Sequence, residues 1–118
     1  MNKKIFIKVN TIFKALHNWE GCDIPEVMFL KYPHHHEFEI SVKMYISHDD
    51  RDIEFICYQR WLDNFLEVSF PEHNLGSRSC EMLAKMIADA SIKEFGDRDI
   101  TVEFSEDGHY SGGVEYAK

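Results

Sequence analysis

His34-His35-His36-Glu37-Phe38-Glu39-Ile40-Ser41-Val42-Lys43-Met44-Tyr45-Ile46 alternates between polar and apolar side chains from Glu37 onward. That is the pattern of a half-buried strand, in which neighbouring side chains point to opposite faces. Phe38, Ile40, Val42, Met44 and Ile46 form the inward row, and Glu37, Glu39, Ser41, Lys43 and Tyr45 the outer one. The same parity carries back to His36 and His34, so both imidazoles belong to the buried side at the mouth of a strand predicted over about His36 to Ile46. His17 closes an earlier segment that also reads as a strand. Three imidazoles converging there hold a metal ion with one coordination position open, the arrangement of a catalytic zinc site. A run of three histidines is more often a solvated turn, and that reading stands beside the metal one. The internal position rules out an expression tag.

At 118 residues the chain has the size of one domain, 1–118, with a single core. Its 44% hydrophobic and 14% aromatic residues argue for a folded globule and against disorder. The apolar stretches are far shorter than a bilayer span and the N-terminus has no signal-peptide core, so a cytoplasmic protein without membrane partners is expected. Cys22, Cys57 and Cys80 are odd in number and form no CxxC pair, which fits reduced thiols. A net charge of −8 without a Lys/Arg cluster would repel a nucleic-acid backbone, so no nucleic-acid partner is expected.

Ile5, Ile7 and Val9 alternate with Lys4, Phe6 and Lys8 in a first strand that runs to His17, with a bulge expected near Asn10-Thr11, where the parity slips. Asn18 to Pro33 reads as a long loop holding a short turn. After the second strand, Asp52 is the expected cap of a helix carrying Tyr58, Trp61, Leu62, Phe65 and Leu66. Ser79 caps a second helix, marked by Met82, Leu83, Met86, Ile87 and Ala90 and ended by Lys93 and Gly96. Ile100, Val102 and Phe104 make a third strand, Val114 and Tyr116 a fourth, with Ser105 to Gly113 as a loose hairpin between them. The order β-β-α-α-β-β with short local connections predicts an α+β fold: a four-stranded antiparallel sheet with two helices on one face. The open edges of so small a sheet point to a homo-oligomer.

This order, together with Phe13-Lys14-Ala15-Leu16-His17, His34-His35-His36-Glu37-Phe38, Ser79-Cys80-Glu81-Met82-Leu83-Ala84 and Val102-Glu103-Phe104-Ser105-Glu106, resembles the tunnelling-fold family of 6-pyruvoyl- and 6-carboxy-tetrahydropterin synthases. The resemblance implies a tunnelling fold that oligomerises into a barrel of trimers or hexamers, with pockets between subunits. It implies Zn2+ held by His17, His34 and His36, and a glutamate, here Glu106, that grips the amidine edge of a pterin- or purine-like ring. Two carboxylate oxygens match two adjacent N–H donors, which makes such a pair strong. Glu81 resembles the acidic residue that opens the family's second helix, and its helix-end role alone accounts for it equally well. Glu72-His73 resembles the family's proton-relaying acid–histidine pair. The family's cysteine shortly before the His-x-His is missing: Leu30 and its neighbours offer no thiol, Cys22 lies earlier in the same loop, and Cys57 and Cys80 read as small core residues.

Two functions follow from the resemblance. One is a zinc-dependent lyase acting on dihydroneopterin triphosphate or a related compound, with His73, Glu72 and Cys22 moving protons. The other keeps the pocket and binds the ring without turnover. A plainer alternative is an acidic oligomer whose histidines are structural. Lys31, Lys43, Arg51, Arg78 and Lys85 are the candidate cations for a triphosphate, each equally explained as a solubilising surface residue.

Overall fold

In the computed structural model, which describes residues 1–118, four strands and two helices follow one another as β1 (Ile5–His17), β2 (His34–Ile46), α1 (Phe55–Ser69), α2 (Cys80–Phe95), β3 (Ile100–Glu106) and β4 (Tyr110–Tyr116). The sheet order is β1-β2-β3-β4, antiparallel throughout. α1 packs over β1 and α2 over β3 and β4, both on the same face. The inward rows Val9, Phe13 and Ala15, then Phe38 to Met44, then Ile100 to Phe104 are buried beneath Tyr58, Leu62 and Leu66 of α1 and Leu83, Ala84, Ile87 and Ala88 of α2. No helix is long and apolar enough to cross a membrane.

The bulge expected at Asn10-Thr11 is absent. β1 and β2 pair without interruption from Ile5 opposite Ile46 to His17 opposite His34. The slip in hydrophobic pattern has another cause: Thr11 points inward and donates its hydroxyl to Asp63 Oδ1 at 2.6 Å, while Ile12 points outward and is 53% exposed. β2 therefore begins at His34, two residues before the expected start.

Asp52 does not cap α1. Glu54 does, its carboxylate accepting from Ile56 N–H at 2.7 Å and Cys57 N–H at 3.3 Å. Asp52 instead accepts from the N–H and hydroxyl of Ser47 and from Arg98, whose guanidinium also donates to Tyr45 O and to Phe95 O at the end of α2. Those bonds hold the Asp52 carboxyl below its ordinary value, the Ser47 N–H foremost. Ser79 caps α2 as expected, accepting from Met82 N–H at 3.2 Å, and Gly96, with φ 93°, ends it. Met82 lies outside the buried stripe of α2 and is 59% exposed.

The β3–β4 connection is tight rather than loose. Only residues 107–109 separate the strands, because Asp107 (φ 53°) and Gly108 (φ 74°) reverse the chain in the left-handed region. Gly112 and Gly113 lie inside β4, where added side chains would strike the Glu81 carboxylate and the Val102 carbonyl respectively. In the 18–33 loop the expected turn is a 3-10 segment, Pro25–Lys31, closed by Trp19 N–H donating to Leu30 O at 2.6 Å.

Candidate metal centre and adjoining cavity

β1 and β2 bring their histidines to one end of the sheet by register alone. His17 lies directly opposite His34, and His36 is two residues further along the same inward face. One nitrogen from each ring lies within 4.8 Å of the others. The ring centroids are 4.4 to 5.0 Å apart and set nearly perpendicular to one another, those of His17 and His36 also meeting Phe38 edge-on.

The hydrogen bonds at the far side of two rings decide which nitrogen faces the centre. His34 Nδ1 lies 2.7 Å from Tyr32 O, which can only accept, so Nδ1 carries the hydrogen and Nε2 presents its lone pair. His36 Nδ1 lies 2.5 Å from Asp107 Oδ2, with the same consequence. The Nε2 atoms of His17 and His34 are buried without a hydrogen-bond partner. Buried polar atoms are normally paired, so two orphaned ring nitrogens facing one point mark a place for a cation. Burial, with repulsion from His34 and His36, lowers the His17 pKa to about 4, so it stands as a neutral imidazole, the form that ligates metal. Three converging imidazoles, two of them with rings oriented by outer hydrogen bonds, suit zinc.

Glu106, at the end of β3, points at the same centre. Its Oε1 lies 3.2 Å from His17 Nε2, out of line for a hydrogen bond, and its Oε2 lies 3.9 Å from His36 Nε2. The next residue, Asp107, accepts from Glu37 N–H as well as from His36, and these bonds, the Glu37 one foremost, hold its carboxyl below the usual range.

Beside the histidines opens a cavity of about 560 Å3. The 18–33 loop contributes Asn18, Trp19 and Leu30; the start of α2 contributes Arg78, Ser79, Cys80, Glu81 and Met82; the β3–β4 hairpin contributes Glu106, Tyr110, Ser111 and Gly112; and His17 and His34 form its metal end. Because Gly112 has no side chain, the Glu81 carboxylate lies against the β4 backbone there. Burial and the nearby Glu106 and Glu81 push the Cys80 thiol up to about 11, so it stays protonated.

The expected site residues thus divide. His17, His34, His36, Glu106 and Glu81 come together. Cys22 is buried beneath the 3-10 segment, its Sγ 3.5 Å from Val27 O, and does not line the cavity. Glu72 makes no bond to His73. His73 pairs instead with Glu67, Nε2 to Oε2 at 2.9 Å, donates from Nδ1 to Lys14 O at 2.8 Å, and stacks on Phe13, away from the cavity lining. Of the five candidate cations only Arg78 lines the cavity; Arg51 pairs with Asp50, and Lys43 lies over the Phe6 ring on the outer face. Cys80, Trp19 and Asp107 belong to the site although sequence reasoning gave them no part in it. The Asp107-Gly108 dipeptide, a turn signal, was the available clue that the expected hairpin is tight and begins at Asp107.

Comparison with solved structures settles the fold. A Plasmodium vivax 6-pyruvoyltetrahydropterin synthase, carrying cysteine in place of a catalytic glutamate, superposes with a TM-score of 0.70 at 11% identity, over 98% of this chain and 99% of that one. This chain has the tunnelling fold. The Plasmodium falciparum 6-pyruvoyl tetrahydropterin synthase gives a TM-score of 0.70 at 12% identity, with 98% and 99% covered. An uncharacterised protein from Wolinella succinogenes gives 0.74 at 12% identity, with 98% and 100% covered. Comparisons with protein-family models and with curated proteins find no match.

Proposed function

We propose that the chain is a zinc-dependent lyase of the tetrahydropterin synthase type, acting in the cytoplasm on dihydroneopterin triphosphate or a related pterin. The observation that carries this reading is the pair of buried, unpartnered Nε2 atoms of His17 and His34 beside a ring-sized cavity that ends in Glu106. His17, His34 and His36 would hold the zinc, which supplies Lewis-acid polarisation of substrate oxygens. Glu106 offers two carboxylate oxygens to the amidine N–H groups of a pterin, and Trp19 and Leu30 help to close the cavity against water. Arg78 is the cation available to a phosphate, and Glu81 adds a second acceptor for ring N–H groups. His73, whose bond to Glu67 raises its pKa and which faces away from its own cavity, would serve as proton carrier in the pocket of an adjacent copy within a trimer or hexamer.

One observation favours a second reading, binding without turnover. Leu30 occupies the cavity wall just before the histidines, and Cys22 is turned into the loop, so no loop thiol reaches the ring. Cys80, the thiol that does line the cavity, is held protonated.

Purified protein is expected to carry about one zinc per chain, lost in His17→Ala, His34→Ala or His36→Ala. Zinc-loaded protein incubated with dihydroneopterin triphosphate and followed by mass spectrometry separates the readings: unchanged substrate removes the lyase and leaves the binding module. Glu106→Gln is expected to abolish pterin binding while zinc stays. Retained binding in that variant removes Glu106 as the ring anchor.

A further inference from the structure

Asp107 has no part in the reading above, yet it makes the closest polar contact to the metal-ligating set. Successive residues of a strand face opposite ways, so an extended Asp107 following the inward-facing Glu106 would point away from the histidines. Its left-handed backbone, φ 53°, turns it back. Asp107 Oδ2 then meets His36 Nδ1 at 2.5 Å, and Oδ1 accepts from Glu37 N–H at 2.9 Å. The Asp107 N–H in turn donates to Glu37 O at 2.9 Å, tying the hairpin to the first residues of β2. The His36 imidazole is therefore approached at both nitrogens by consecutive residues of one hairpin, Glu106 at Nε2 and Asp107 at Nδ1.

We propose that Asp107 is the positioning residue of the metal centre, accepting the Nδ1 hydrogen of His36 and so holding that ring in the tautomer and orientation whose Nε2 lone pair is offered to the ion. The proposal rests on reading His17, His34 and His36 as metal ligands. Tyr32 O performs the same service for His34 as a neutral carbonyl. A carboxylate does more, because its charge makes the opposite nitrogen a stronger donor, and outer partners of this kind are commonly worth 10 to 100-fold in metal affinity.

A merely structural role and a positioning role rank two substitutions in opposite order. Asparagine tolerates the left-handed backbone better than alanine, so a turn-forming role makes Asp107→Asn the milder change. In the positioning role it is the harsher one. Asparagine has one carbonyl oxygen, which Glu37 N–H takes, leaving the NH2 group against His36 Nδ1. That group donates, the imidazole hydrogen moves to Nε2, and the ligating position is blocked.

The experiment measures zinc affinity of the full chain by competition with a chromophoric chelator, and the His36 tautomer of the metal-free protein by long-range 1H–15N NMR. Wild type is expected to show the Nδ1–H tautomer. Both variants should lose roughly 10 to 100-fold in zinc affinity, Asp107→Asn more than Asp107→Ala, with His36 in the Nε2–H form in the asparagine variant. An Nε2–H tautomer in wild type overturns the proposal without recourse to any variant, as does an asparagine variant that binds zinc at least as well as the alanine one. Wild type that binds no zinc removes the metal reading itself, whereas wild type that binds zinc with no dependence on Asp107 removes only this proposal.

Discussion

At the scale of single residues, His73 shows how local bonding sets a pH dependence. Its bond to Glu67, then its bond to Lys14 O, raise its pKa above the ordinary histidine value of 6.5. The protonated ring is the form the fold favours, so its contribution to stability is complete below that ordinary value and is lost as pH rises through the raised one. Glu67→Gln removes the charge. The expected outcome is a wild-type urea midpoint above that of the variant at about pH 6, the gap closing under alkaline conditions, with an NMR titration of the His73 ring showing the lower pKa in the variant. Coincident titration curves for the two proteins would remove Glu67 as the cause.

The same scale shows what could be read from residues alone. Strand parity placed His34, His36 and Glu106 on the inward face, because a period of two leaves no choice once Phe38, Ile40, Val102 and Phe104 are committed to the core. Asp107 was illegible because its side chain is aimed by a positive φ rather than by parity. Cys80 was illegible as a cavity residue, and Arg78 could not be singled out from the five candidate cations, because their place depends on the start of α2 lying over β4, which no local pattern encodes.

At the scale of elements, the helix termini separate two kinds of signal. Ser79 and Gly96 act through their own neighbours in sequence, and both ends of α2 fell where expected. The start of α1 did not, since three acids, Asp50, Asp52 and Glu54, compete for it within five residues. Tertiary bonds decide the contest: Arg98 and Ser47 draw Asp52 away, leaving Glu54 free to reach Ile56 N–H and Cys57 N–H. Removing the cap with Glu54→Ala is expected to cost about 1 kcal/mol, read as a lower urea midpoint with an unchanged slope. Asp52→Ala should leave the first turn of α1 intact and instead speed amide exchange at Ser47, the N–H it releases. If amide exchange in the first turn of α1 quickens in Asp52→Ala and not in Glu54→Ala, the assignment of the cap is wrong.

At the scale of the whole molecule, the single chain leaves much of its sheet uncovered. Its radius of gyration is 15.5 Å, against about 13.5 Å for a compact chain of this length, and its extents are 50 × 31 × 22 Å. Both helices lie on one face, so the other presents Phe6, 47% exposed, and Ile12, 53% exposed, amid charged neighbours. Both sheet edges, β1 and β4, are free for most of their length; residues 73–76 cover only the last turn of β1, where Leu16 exchanges hydrogen bonds with His73 and Leu75. Long unpaired edges beside a face that exposes Phe6 and Ile12 are the features that pairing with further copies removes. Light scattering at micromolar concentration is therefore expected to give the mass of three or six chains. Phe6→Glu and Ile12→Glu, placed where neither touches the core nor the histidines, should shift the mass toward one chain while far-UV circular dichroism stays that of wild type. A wild-type chain that stays single at that concentration would leave the uncovered face without a partner and remove the route proposed above for His73 into another copy's cavity.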